Sequence, residues 1–233
     1  MAIFSGFSSL LTGSYLDLFL QGIALTAQLF VVSLIAALLL GCILMMIRLT
    51  PGRIGDSLVT VYVEYHRNVP SLVQLFVWYF GVPQLLPQST QDWINVHGGE
   101  VFFAIVSLTL NAAAYISEDL RSGFRSLPTG QTEAARALGI NYFQTLRKIL
   151  IPQAIRAAAP ALVNQTLGLF KTTALAMAIG TAEVMYMTRQ IEGETYMTFQ
   201  TYAVASIIYL IGSWTIMALG GIWQRRIQIQ GSR

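Results

Sequence analysis

The stretch LFLQGIALTAQLFVVSLIAALLLGCILMMI, residues 18–47, carries no charged side chain along its whole length. A helix needs about 20 mostly apolar residues to cross roughly 30 Å of hydrocarbon. This run exceeds that length, so it reads as a membrane span. The stretch 195–224, TYMTFQTYAVASIIYLIGSWTIMALGGIWQ, is likewise uncharged, and 101–117, VFFAIVSLTLNAAAYIS, gives a third span. Two further segments are apolar but interrupted. Residues 57–80 contain Glu64, His66, Arg67 and Pro70, and residues 157–182 contain Pro160 and Lys171. The expectation is an all-α integral membrane protein with about five transmembrane helices.

Composition agrees. Of 233 residues, 55% are hydrophobic and 11% charged, against about 45–50% and about 25% in an ordinary soluble domain. That balance argues against a soluble globule and a disordered chain. Gly and Pro show no collagen period. A lone cysteine, Cys42, argues against a disulfide framework and multi-cysteine zinc sites. Two histidines, His66 and His97, leave little for a metal centre or a histidine-based triad. The net charge of +3 is read as membrane orientation, with no nucleic-acid partner implied.

The basic residues orient the chain. Arg48, Arg53, Arg121, Arg125, Arg136, Arg147, Lys148, Arg156, Arg225, Arg226 and Arg233 account for eleven of the 14 Lys and Arg. They fall in segments 48–56, 121–156 and the tail. The loop 82–100 has none and 183–199 has only Arg189. The positive-inside rule puts the basic segments in the cytoplasm, so the amino terminus is outside and the carboxyl terminus inside. Residues 1–17 lack Lys and Arg and are not a signal peptide. Phe4, Phe7, Leu10 and Leu11 at helical spacing suggest an amphipathic interfacial helix. The expected organisation is an interfacial segment 1–17, a transmembrane domain 18–224, and a cytoplasmic tail 225–233.

Between the third and fourth spans lies QTEAARALGINYFQTLRKILIP, residues 131–152. It reads as helix, break, helix. Glu133 to Leu138 are good helix formers, and Gly139 suits a left-handed stop. Asn141 can cap a second helix, with Gln144 three residues on. Phe143, Leu146, Ile149 and Leu150 make one apolar face, and Pro152 is expected to end the segment. A bent pair of short helices on the cytoplasmic face is a docking element, more regular than a plain connecting loop requires.

The same stretch resembles the EAA loop of ABC importer permeases: Glu-Ala-Ala, three residues, Gly, nine residues, then Ile-x-Leu-Pro. Glu133, Ala134, Ala135, Gly139, Ile149 and Pro152 stand at those spacings, with Ile151 replacing the usual Leu. The loop spans about 126–152. Other segments resemble the polar amino-acid uptake branch: LQGIALTAQLF, VEYHRNVPSLVQLFVWYFG, LNAAAYISEDLRSGFRSLPTGQTEAARALG and NQTLGLFKTTALAMAIG. Within it, RNVPSLVQLFVWY and VPQLLP look most like glutamate/aspartate permeases, although His66 stands where Phe is common. The resemblance implies a multi-pass subunit of the bacterial inner (plasma) membrane. It pairs with a second permease as a homo- or heterodimer. ATPase subunits dock on the EAA loops, with ATP and Mg held there. A periplasmic or lipid-anchored amino-acid-binding protein delivers substrate. This chain has no Walker A pattern, so no ATP hydrolysis and no cofactor is assigned to it.

Polar residues inside spans are costly and usually face a partner or a cavity. Glu64, Arg67, Ser71 and Gln74 share one helical face, and Glu64 and Arg67 are spaced to pair. Ser107, Asn111, Tyr115 and Glu118 form a second stripe, and Asn164, Gly168 and Lys171 a third, with Gln165 and Thr166 beside it. Pro70 removes a helix hydrogen bond, and freed backbone groups are tolerable where they line a cavity. An amino-acid carboxylate wants a guanidinium, which Arg67 supplies bidentately, while an ammonium wants a carboxylate or oxygens. Gln74, Asn111, Tyr115 and Thr166 can add neutral hydrogen bonds. Lys171 is the second deep cation, suited to an acidic side chain. The candidate substrate set is therefore Glu64, Arg67, Gln74, Asn111, Tyr115, Thr166 and Lys171. Plainer readings are a structural Arg67–Glu64 pair near an outer gate, and snorkelling for Lys171.

Two other readings fit the sequence: a permease for another polar or basic amino acid, including the glutamine and histidine types, and, in a different class, a channel or non-transporting scaffold. An intramembrane enzyme finds no HExxH or GxSxG pattern. Single-cysteine labelling should find positions 85–98 accessible from outside and 126–140 only from inside; the reverse pattern would overturn the orientation.

Overall fold

The computed structural model describes residues 2–50 and 52–227, with side chains described from Gly6 onward. Its helices are α1 (Ala2–Leu10), α2 (Gly13–Leu49), α3 (Arg53–Asn68), α4 (Ser71–Phe76), α5 (Gln88–Val96), α6 (Gly99–Arg125), α7 (Gly130–Ala137), α8 (Tyr142–Thr145), α9 (Ile151–Thr172), α10 (Val184–Thr195) and α11 (Thr198–Ile227). A π-helical turn (Val77–Gly81) and a 3-10 turn (Val82–Leu85) extend α4; a π-helical turn (Leu146–Leu150) joins α8 to α9; a 3-10 helix (Thr173–Ile179) extends α9. Among the described residues there is no strand.

Among those residues, α2, α6 and α11 are each long and apolar enough to cross a membrane, and the run Tyr142–Ile179 with α10, bent by 51°, forms a fourth unit. The segment 57–80 is broken instead of continuous. Val69 is extended (φ −91°, ψ 131°) ahead of Pro70, which separates α3 from α4, because a residue preceding proline is driven out of the helical region. The fourth run also stops earlier than the sequence suggests. Gly180, at φ +86°, ends the 3-10 helix, and α10 restarts at Val184. The first long helix starts at Gly13, inside the segment 1–17.

Helix association in lipid has little hydrophobic driving force and depends on close packing of small residues. The core follows that rule. Ala37, Ala112, Ala113, Ala114 and Ala158 are buried where α2, α6 and α9 meet. A Cβ on Gly123 would lie 2.5 Å from the Ala154 carbonyl oxygen, so α6 and α9 touch backbone to backbone there. The amino-terminal helix uses its apolar face within the protein. Leu10 is buried, and Phe7 packs with it among Phe19, Ile191 and Val204. It therefore seats on α2, α10 and α11 through Phe7 and Leu10, while Leu11 stays exposed. The side chain of Phe4 and residues 228–233, including Arg233, lie outside the described residues. Arg225 and Arg226 sit in the last turn of α11.

A charged knot fastens the basic ends of α2, α3 and α6. Arg48, with its side chain 3% exposed, pairs with Glu118. It also donates to Thr60 Oγ1 at 2.9 Å and lies 3.5 Å from Asp56. Arg121 adds contacts to Glu118 at 3.6 Å and Asp56 at 4.0 Å. Removing one partner of a buried pair leaves an uncompensated charge, at a cost of about 3–5 kcal/mol; the nearby Asp56 keeps the loss toward the low end. Glu118→Gln should lower the thermal midpoint of the detergent-solubilised protein at low and high salt alike. An Arg48→Met, Glu118→Gln double variant should recover part of that loss.

Candidate functional site

Pro70 has no N–H, so the His66 carbonyl loses its helical donor. Two side-chain amides replace it. Gln74, fully buried, donates through Nε2 to His66 O at 2.9 Å and Val69 O at 2.7 Å. Asn111 on α6 donates through Nδ2 to His66 O at 3.0 Å and to Gln74 Oε1 at 3.3 Å. The break is thus held open by amides from its own far side and from the neighbouring helix. Tyr115, one turn beyond Asn111, places its hydroxyl 3.5 Å from Arg67 O.

The Arg67 guanidinium lies over the Tyr115 ring, 5.5 Å from its centroid, a cation–π placement. The Glu64–Arg67 pair suggested by spacing is not formed. Glu64 instead accepts from Asn68 Nδ2 at 2.7 Å, because the asparagine four residues on reaches it within the same helix. Ser71, Ser107 and Asn111 line one small cleft with Thr172, Leu75, Leu108 and Leu175, so the first and second stripes meet there, while no named residue of the third reaches it.

Lys171 and Thr166 sit elsewhere. Lys171 lines a groove of about 750 Å³ with Leu72, Met177, Tyr209 and Trp214. Thr166 donates to Leu162 O at 2.8 Å and lines a separate apolar cavity of about 480 Å³ with Phe30, Cys42 and Trp223. The structure therefore brings Arg67, Gln74, Asn111 and Tyr115 together, puts Lys171 in an adjoining groove, and turns Thr166 away.

The loop 126–152 folds as helix, break, helix. Gly139 takes φ +72°, and Ile140 N donates to Ala135 O at 3.0 Å, closing α7 with a left-handed stop that a side chain would strain. Asn141 accepts from Gln144 N at 2.9 Å and caps α8. Ala135 is buried while Glu133 and Ala134 are exposed. Leu138 (78% exposed), Tyr142 (57%) and Phe143 (68%) project outward, an apolar patch around the bend. Pro152 does not end the segment. It stands where the π-helical turn Leu146–Leu150 passes into α9, inside the continuous run Tyr142–Ile179, and the local π geometry accommodates its missing N–H without a gap.

The family model for the binding-protein-dependent transport system inner membrane component matches residues 33–229. The chain belongs to this family. Two relatives of the permease match it nearly end to end. The arginine transport system permease protein ArtQ of Bacillus subtilis (strain 168) is 34% identical, covering 90% of this chain and 92% of its own length. The glutamate/aspartate import permease protein GltJ of Escherichia coli (strain K12) is 30% identical, covering 94% and 91%. A solved amino acid ABC transporter with histidines superposes with a TM-score of 0.80 at 28% identity, covering 91% of this chain and 95% of that one. The permease is accordingly a transporter subunit and not an enzyme.

One polar centre of the permease was not found from sequence. Glu183, fully buried, caps α10 by accepting from Tyr186 N at 2.9 Å and accepts from Tyr209 Oη of α11 at 2.8 Å. Beside it Val184 N donates to Thr26 Oγ1 of α2 at 3.2 Å. The available signal was Gly180 followed by a fresh apolar run, a stop and a restart. The Arg48–Glu118 knot was also missed, since residues seventy apart carry no spacing signal.

The amide bridge over Pro70 yields a direct test. Gln74→Leu strips the donor from Val69 O and one of two from His66 O, and an unsatisfied buried carbonyl costs about 1–3 kcal/mol. Thermal unfolding should show a clear destabilisation. Adding Pro70→Ala, which returns an N–H to the break and lets the helix run on, should restore most of it.

Proposed function

We propose that this permease forms the translocation pathway of an ATP-driven importer of polar amino acids, with glutamate and aspartate as its foremost substrates. What supports the reading is an Arg67 guanidinium that pairs with no carboxylate among the described residues and rests on Tyr115 beside a helix break. A guanidinium so placed suits bidentate capture of an amino-acid carboxylate. Gln74 and Asn111 hold the break and can exchange a backbone carbonyl for substrate. Lys171, in the adjoining groove, supplies a second positive charge for an acidic side chain. The relative GltJ, by its name a glutamate/aspartate permease, lends support to this substrate class. ArtQ, by its name an arginine permease, favours a basic amino acid as the second reading.

The rest of the machine follows from the family. We infer five spans, with α3 and α4 together as the broken second one, the amino terminus periplasmic and the carboxyl terminus cytoplasmic, in a bacterial inner membrane. ATPase subunits carrying ATP and Mg dock on the exposed patch around Gly139. A second permease chain completes the pathway, and a periplasmic binding protein delivers substrate to the outer face.

A hydrogen bond to a charged group contributes roughly 1.5–3 kcal/mol, so Arg67→Ala should cost about 10- to 150-fold in apparent affinity for transported substrate. Arg67→Lys keeps charge but loses the fork and should rescue only part. Lys171→Gln should impair glutamate and aspartate uptake more than glutamine and asparagine. Equal losses for all four would reduce Lys171 to a structural role, and a double variant with normal uptake would put the site in the partner chain.

A further inference from the structure

The cavity beside Thr166, about 480 Å³, is a cleft lined by α2, α9 and α11, with Leu120 from α6. Helix α2 gives it Phe30, Leu34, Leu38 and Cys42, one side chain per turn. At a rise of about 1.5 Å per residue this wall is roughly 18 Å long. That is slightly more than half of the ~30 Å hydrocarbon layer, the depth of one leaflet. Leu38, Leu219 and Trp223 are exposed, so the cleft opens along the flank of the protein. The Thr166 hydroxyl is engaged with Leu162 O of its own helix, which leaves an almost wholly apolar lining.

One end of the cleft is basic. Ile216, Leu219 and Trp223 form a stripe on α11 that Arg226 continues three residues further on, with Arg225 beside it. On α9, Arg156 stands two turns before Val163 on the same helical face. All three arginines are exposed, and among the described residues none pairs with a carboxylate. Arg48 and Arg121, at the same end of the bundle, are committed to Glu118 and Asp56. An apolar slot one leaflet deep, ending at uncompensated guanidinium groups, matches the polarity of an anionic phospholipid. A second copy docked through this face about a two-fold axis would set these arginines against their own counterparts. We propose that the cleft holds one acyl chain of an anionic phospholipid, with the headgroup phosphate against Arg156, Arg225 and Arg226. The chain fills the space between α2 and α11 that the protein's own side chains leave open.

The test uses the purified permease–ATPase complex in phosphatidylcholine bilayers doped with a phospholipid that carries a diazirine on its acyl chain. The doped lipid has either a phosphatidylglycerol or a phosphatidylcholine headgroup, and adducts are mapped by peptide mass spectrometry after irradiation. Helix α3, where Ile54, Leu58 and Val61 are exposed beside Arg53, serves as the control surface. One arginine near an anionic lipid contributes about a fivefold preference. Phosphatidylglycerol adducts on segments 34–42 and 216–223 should therefore exceed phosphatidylcholine adducts at least about fivefold, with a smaller excess on α3. Each variant is first required to elute as an intact complex. The Arg156→Gln, Arg225→Gln, Arg226→Gln triple variant should bring the two lipids to equality in the cleft and leave the phosphatidylcholine adducts unchanged. Cys42→Phe narrows the cleft without touching the arginines and should reduce the adducts of both lipids there. Equal labelling by the two lipids in the wild type, or a preference that survives the triple variant, overturns the proposal. A preference as strong on α3 as in the cleft also overturns it, leaving only general attraction of anionic lipid to a basic surface. So does an absence of lipid adducts from the cleft, with a photoreactive residue at position 219 then showing whether another protein chain covers this face.

Discussion

A proline inside a membrane helix leaves a carbonyl without its donor, and hydrocarbon offers no water to replace it. In this permease the His66 carbonyl is that group, and Gln74 and Asn111 both donate to it. Much of the candidate site follows from this one repair. The extended Val69 interrupts the helix between α3 and α4. Arg67, three residues before the break, is carried over Tyr115 of α6. The amide of Asn111 ties α6 to the break, so the two elements that carry polar side chains are held in register by hydrogen bonds where apolar packing could slide.

A second discontinuity uses different chemistry. Gly180 stops the 3-10 helix, and the Glu183 carboxylate restarts the chain by capping α10. Tyr209 of α11 and Thr26 of α2 converge on the same joint. Breaks in two helical runs, each satisfied by side chains from neighbouring helices, give a membrane protein places to bend without exposing backbone to lipid. Elsewhere the helices meet through Ala and Gly, and the backbone approach at Gly123 leaves no room for adjustment. Rigid three-helix packing around α2, α6 and α9 thus frames two jointed segments.

The uncharged runs and the helix–break–helix loop were legible because they depend on local rules. Span length needs only a hydropathy count, and the bend needs only Gly139 with Asn141 and Gln144 behind it. The polar stripes were legible as stripes, since spacing along one helix fixes their common face. What they face was not, because rotation of one helix against another is a tertiary property. That is why Thr166 turned out to line an apolar cavity, and why Glu64 chose Asn68 over Arg67. Pro152 reads as a terminator by local rule, but the π-helical turn before it lets the helix run on. Glu183 and the Arg48–Glu118 knot depend on contacts between segments far apart in sequence.

We propose that this chain forms a gated path for a polar amino acid driven by a partner ATPase. Reconstitution of the permease with its ATPase and binding protein into proteoliposomes, followed by uptake of a labelled amino-acid panel, tests it most directly. The expected result is accumulation of a polar amino acid against its gradient, strictly dependent on ATP. Equilibration without ATP, as in a channel, or no amino-acid movement from an intact complex, would contradict it.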